Sequence, residues 1–200
     1  MNLPQAQEYI VARLKNELSP TLYYHNVIHT LDVADSVERL AIEEHVTGED
    51  VQILRTAALY HDTGFLQRYE VNEPIGAHIA REALPGFGYT DRQAEIVCDL
   101  IIATRMPQNP QTLLQQILCD ADLDYLGRPD FYIISHRLQR ELAEHGSPTT
   151  LREWYGIELE FLQTHHYFTG AARLGREPLK QRFIKDIREL LNGQDISDGR

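Results

Sequence analysis

Apolar residues in this chain return every third or fourth position, and no stretch alternates apolar with polar residues as a half-buried strand does. A chain patterned this way buries its apolar stripes by packing helix on helix. The periodicity predicts helices at about 4–18, 25–45, 50–62, 74–84, 91–104, 111–126, 130–145, 149–168 and 177–192. Ser19-Pro20 ends the first helix, Gly48 ends the second, and Gly64 follows the third at a natural C-terminal stop. Pro85, Gly86 and Gly88 make a loop, and RMPQNPQ (105–111) makes another. HGSPTT (145–150) reads as a turn able to cap the next helix, and NGQDISDGR (192–200) as a frayed end. The expected architecture is all-α, with connections short enough for one compact helical bundle and a single domain over 1–200.

Composition narrows the function classes. At 42% apolar and 24% charged residues, the chain has the make-up of an ordinary globular protein. No apolar run approaches the roughly 18 residues that a membrane span needs. The first twenty residues, MNLPQAQEYIVARLKNELSP, are amphipathic and carry acids, unlike a secretory signal or transit peptide, so the expected location is cytoplasmic and no membrane partner is expected. A net charge of −11 argues against general nucleic-acid binding, which needs a basic face. It leaves room for a small anionic substrate, because a dication and a few placed arginines hold a phosphate inside an acidic protein. Cys98 and Cys119 stand alone, with no Cys-x-x-Cys spacing, and read as buried reduced thiols.

Three histidines stand where the stripes end. In YYHNVIHTLDVADSV (23–37), His25 and His29 continue the face of Val33, Val37 and Leu40 at its N-terminal end. In DVQILRTAALYHD (50–62), Leu54, Ala57, Ala58 and His61 share a face, and His61 closes it at the C-terminal end. One such histidine is usually a hydrogen-bonded core residue. Two on separate helices, one followed directly by Asp62, point to a metal, which would offset the cost of burying that carboxylate. A fourth ligand should come from another stripe. LLQQILCDADLDYLG (113–127) offers Asp120, Asp122 and Asp124, three acids set into the apolar run of Leu114, Ile117, Leu118 and Ala121.

The order H…HD…D, from about Tyr24 to Leu126, resembles the HD-domain metal-dependent phosphohydrolase superfamily. The resemblance implies an all-α HD-type bundle with its motif core at about 24–126 and extra C-terminal helices at about 130–192. It implies His29, His61, Asp62 and Asp122 as metal ligands, the last in the pair Ala121-Asp122, with Asp120 as runner-up. YHNVIHTLDV is also similar to a stretch of the class I cyclic-nucleotide phosphodiesterases. By position, that similarity makes His25 the proton donor and His29 a ligand. Imidazole as a chemical group exchanges protons near neutral pH, which suits such a role.

Departures from the family pattern narrow the expectation. Where many two-metal members carry further histidines, this chain has Asn72, and Thr104 or Arg105, so a single metal is expected. Where the alarmone hydrolases and the HD 5′-nucleotidases place a catalytic glutamate, this chain has Phe65, so neither activity is expected. The expected activity is hydrolysis of a phosphomonoester or phosphodiester of a nucleotide or small phosphometabolite by a metal-activated water. Asp62 is counted with His25 as catalytic. The cofactor is one divalent transition metal (Mn, Fe, Co, Ni or Zn), with Mg as a further candidate. The alternative is a non-catalytic nucleotide-binding module that keeps the fold and the metal.

Asn72, His78, Arg105 and Arg128 are the expected substrate contacts. Asp32 is a candidate to hold a ligand histidine's second nitrogen, and Glu73 reads equally as a pocket acid or a first-turn helix charge. His165 and His166, adjacent on an expected helix, face apart. Arg173, Arg176 and Lys180 form a basic segment suited to an anionic substrate or to solvent, while Trp154, Tyr155, Phe161 and Tyr167 read as core.

Overall fold

A computed structural model describes residues 1–193. Among these, the regular structure is helical, with no strand: α1 (Leu3–Glu17), α2 (Val27–Glu43), α3 (Glu49–Tyr60), α4 (Asn72–Ala83), α5 (Asp91–Ala103), α6 (Leu113–Asp122), α7 (Phe131–Glu144), α8 (Leu151–Thr164) and α9 (Gly170–Gly193). Short 3-10 turns follow α3, α4 and α6. No described helix is long and apolar enough to cross a membrane. Of the end expected to fray, residues 194–200 lie outside the described residues.

The chain packs as two compact units, Met1–Leu123 and a second that begins at Asp124. The boundary falls at the end of α6, inside the span expected as the motif core. In the first unit, α3 is the central helix. Ile53, Leu54, Ala57, Ala58, Leu59 and Tyr60 are buried, and α3 packs on α1, α2, α5 and α6. The stripe of α2 meets it with Val33, Ala34, Val37, Leu40 and Ala41, all buried. Both cysteines are buried free thiols.

Side-chain caps explain where helices start differently from the apolar pattern. α2 begins at Val27 because the Asn26 side chain accepts from the Ile28 and His29 amides and donates to the carbonyls of Leu22 and Tyr23. His25 therefore precedes the helix that was expected to carry it. α6 is shorter than the expected 111–126. Thr112 and Gln115 form a capping box at its start, and the chain tightens into a 3-10 turn after Asp122. α9 starts earlier than expected, where Thr169 Oγ1 accepts from the Ala172 amide, and it runs through Pro178. α8 ends at Thr164, so His165 and His166 lie past the helix, with His165 extended, and not on the helix predicted for them.

The second unit is built on aromatic packing. The Phe131 ring stacks on Phe183 at 4.7 Å and on Tyr125 at 6.2 Å, and Trp154 and Tyr167 are buried as expected. Tyr155 and Phe161 are only half-buried. The basic segment of Arg173, Arg176 and Lys180 is already engaged, Arg173 donating to the Phe168 carbonyl at 2.9 Å. Arg176 grips Asp124 through two hydrogen bonds of 2.7 and 3.0 Å, and Lys180, fully buried, donates to the His165 carbonyl at 2.7 Å and pairs with Glu177.

Glu158 is the unit's costly group. It is 3% exposed, its Oε1 accepts from Ser135 Oγ at 3.0 Å, and its Oε2 has no partner. Burial pushes its carboxyl up to about 7, with the Ser135 bond acting the other way. A carboxyl raised in the folded state weakens the fold as pH climbs from the ordinary 4.5 to about 7. Glu158→Gln should therefore gain stability over wild type across that window, by at most about 3 kcal/mol, and little below it. Denaturant titrations at several pH values check this; a wild-type-minus-variant difference that is flat with pH would contradict it.

Candidate metal centre

The site is assembled from the start of α2, the end of α3 and the end of α6. His29 is the third residue of α2, delivered into the core by the Asn26 cap. His61 is the C-cap of α3, where helix carbonyls lose their usual partners. Side chains of the same turn take two of those carbonyls: His61 Nδ1 donates to Ala58 O at 2.7 Å, and Thr63 Oγ1 donates to Tyr60 O at 2.7 Å. A carbonyl only accepts, so the proton of neutral His61 sits on Nδ1 and Nε2 keeps its lone pair. Asp122 closes α6.

Four atoms converge. His29 Nε2 lies 3.3 Å from His61 Nε2, 3.4 Å from Asp62 Oδ2 and 3.2 Å from Asp122 Oδ1. His61 Nε2 lies 3.1 Å from Asp62 Oδ2 and 3.4 Å from Asp122 Oδ1. His61 is 1% exposed and His29 and Asp62 are 8% exposed, so water contributes little. Asp62 Oδ2 has no hydrogen-bond partner, and no lysine or arginine pairs with any of the four among the described residues.

These observations fit a divalent metal. Ligand atoms held about 2.0–2.1 Å from one ion at tetrahedral angles lie about 3.3–3.4 Å apart, close to the 3.1–3.4 Å that separates the two histidine nitrogens from each other and from an oxygen of each aspartate, and the ligand atoms of His29, His61 and Asp122 all lie within 4.8 Å of one another. Two imidazoles and two carboxylates form a mixed N and O set of the kind transition dications take. Without a cation, protons must do the same work. Burial lowers the His29 and His61 pKa values, but the surrounding carboxylates more than offset it, raising His29 and holding His61 well above 6.5. Burial raises the two carboxyls, yet the histidines hold Asp62 well below its ordinary value and Asp122 at about 2.

Comparisons with known proteins identify the family. Residues 26–124 match the family model described as HD domain. The chain is an HD-domain protein. An uncharacterised protein of Clostridium beijerinckii is 30% identical over 100 residues, which are 48% of this chain; the chain spans 63% of the length of that curated relative. Two solved structures share the fold. One is described as a predicted HD superfamily hydrolase from an uncultured Thermotogales bacterium, with a TM-score of 0.63 and 20% identity over 96% of this chain and 93% of that one. The other is Bacillus subtilis YpgQ in complex with ADP, with a TM-score of 0.67 and 18% identity over 98% of both chains. The likeness of fold runs through the C-terminal helices, which no sequence motif marks.

The remaining sequence-predicted residues of this HD-domain protein are scattered. His25 is half-buried before α2, its ring stacked on Phe65 at 4.3 Å and 6.1 Å from that of His29. Asn72, an expected substrate contact, donates from Nδ2 to Asp62 Oδ1 at 3.2 Å. His78 is exposed on α4, and Arg105 is exposed beside Met106 and Pro107. Arg128 belongs to the second unit and is no free phosphate clamp, because Asp130 holds it at 2.7 Å and Asp124 lies at 3.7 Å. Asp120 is fully buried, and Asp124 serves Arg176, leaving Asp122 as the acid facing both histidines. Asp32 is half-buried in α2, and Glu73 sits in the first turn of α4, where its charge complements the helix dipole. The Phe65 contact escaped sequence reasoning, which registered only that phenylalanine cannot activate water.

Metal binding should release protons, since ions must displace those held by His29 and His61. The sign for the metal-free protein follows. Histidines raised in the folded state stabilise it fully below 6.5, and that stability is lost as pH rises through their raised values. The two aspartates stabilise above 3.8 and lose this as pH falls, through about 2 for Asp122. Calorimetric titrations at pH 7 in buffers of different ionisation enthalpy should show net proton release. Zero release would contradict the assigned protonation.

Proposed function

We propose that this HD-domain protein is a metal-dependent phosphohydrolase acting on a phosphomonoester or phosphodiester of a nucleotide or small phosphometabolite. The observation that carries the reading is a pair of buried histidine nitrogens, each within 3.4 Å of an oxygen of Asp62 and of Asp122, with no lysine or arginine beside them among the described residues. His29, His61, Asp62 and Asp122 would hold the ion, one of Mn, Fe, Co, Ni, Zn or Mg. A divalent metal bound there supplies a water of lowered pKa and polarises a phosphoryl oxygen.

The chain's own residues supply the rest. His61 is locked by Ala58 O with its lone pair toward the centre, so it cannot swing out to exchange protons with substrate. His25 is not one of these four residues. It stands outside the helix, half-buried, its ring edge-on to Tyr24 at 4.6 Å and stacked on Phe65, and is placed to give a proton to a departing oxygen. The fold similarity to YpgQ, whose structure holds ADP, makes a nucleotide the first substrate class to test. It also supports a second reading, a nucleotide-binding module without turnover.

Removing metal with a chelator should abolish hydrolysis in a nucleotide and phosphate-ester panel, and readdition should restore it. Asp62→Ala should lose both metal and turnover with its helical content intact. His25→Ala should keep its metal and lose about 10²–10⁴ in turnover. Full activity in verified metal-free protein sinks the hydrolase reading. Saturable ADP binding by metal-loaded protein with no turnover across the panel selects the second reading.

A further inference from the structure

We infer that Asn72 is the residue that aims Asp62 at the metal position, and that Gly64 is the space that lets it do so. The inference rests on the metal-site reading proposed above. Asp62 has two oxygens with different tasks. Its Oδ1 accepts from Asn72 Nδ2 at 3.2 Å, while Oδ2 faces His61 at 3.1 Å and His29 at 3.4 Å with no hydrogen bond. The last torsion of an aspartate is broad, so a carboxylate with neither oxygen tied turns freely. Tying Oδ1 fixes the direction of Oδ2. A side-chain amide suits the task, because it donates to an acceptor-only carboxylate and adds no charge.

The backbone around Asn72 is built for this contact. Asn72 opens α4 directly after Val71, whose φ of 57° and ψ of 46° are left-handed, an uncommon conformation for a β-branched residue. The chain turns sharply there and sets the Asn72 backbone against Gly64, two residues beyond Asp62. A Cβ on Gly64 would run into the carbonyl of Asn72. One turn further along α4, a Cβ on Gly76 would meet His61 O at 3.0 Å and Tyr60 O at 3.1 Å. Two glycines, one on each side of the packing, thus let α4 seat on the His61-Asp62 turn. Any side chain at 64 lifts the start of α4 and carries the Asn72 amide away from Asp62. Asn72 is on this account a positioning residue, acting on a ligand and touching neither metal nor substrate.

Cobalt titration of the full chain tests this, with affinity taken from chelator competition and coordination from the visible absorption of bound Co²⁺. Asn72→Ala and the near-isosteric Asn72→Asp both remove the donor. Each should bind Co²⁺ about 10–100-fold more weakly than wild type, with an altered spectrum and unchanged helical content. Gly64→Ala, where it folds, should show a similar deficit with Asn72 still present, and combining it with Asn72→Ala should add little. Asn72→Gln, with its amide on a longer arm, should recover part of the affinity. Wild-type affinity in both Asn72 variants overturns the inference while leaving the metal site standing. Tighter binding in Asn72→Asp also overturns it, since position 72 would then be a ligand position. A wild-type chain that takes up no Co²⁺ removes the metal-site reading and this inference together.

Discussion

Two imidazole nitrogens lie 3.3 Å apart, and each lies 3.1–3.4 Å from a carboxylate oxygen of Asp62 and of Asp122 in a pocket that largely excludes water; lone pairs that close repel unless positive charge sits among them. Much of the first unit follows from holding those atoms there. The Asn26 cap fixes where α2 begins and so where His29 points. The bond from His61 to Ala58 O closes α3 and decides which ring nitrogen stays bare. α6 must stop at Asp122, so that its last carboxylate faces the histidines.

The second unit meets the same cost by other means. Asp124 is buried, and Arg176 grips it with two hydrogen bonds. Fully buried Lys180 is met by Glu177 and by the His165 carbonyl. Those buried charges are settled within the protein. Among the described residues no lysine or arginine pairs with Asp62 or Asp122; the positive neighbours there are histidines, and only while those carry protons. The difference separates a structural ion pair from a site held ready for a cation.

The sequence carried what local spacing encodes. The all-α class and the helix ends that carry His29, His61-Asp62 and Asp122 were legible because each rests on residues within one or two helical turns; that these residues belong to one set was implied only by the HD-domain resemblance. Pairings across long separations were not. Nothing near Asp124 says that Arg176, 52 residues further on, grips it, and nothing near Asn72 says that it reaches back ten residues to Asp62. Caps shifted other readings. Apolar periodicity placed His25 on a helix, but the Asn26 cap starts that helix at Val27, two residues after it. Phe65 was read for what it cannot do chemically, while its contact with His25 depends on the fold. Gly64 was read as a helix stop, and the structure adds that Asn72 leaves no room there for a side chain.

The most direct test of the central claim is the metal content of the full chain, by elemental analysis after purification and after reconstitution followed by extensive dialysis, beside a variant carrying both His61→Ala and Asp122→Ala. The account predicts close to one tightly held divalent transition ion per wild-type chain and none in the variant. A wild-type chain that holds no metal after reconstitution, or a variant that holds as much as wild type, would contradict it.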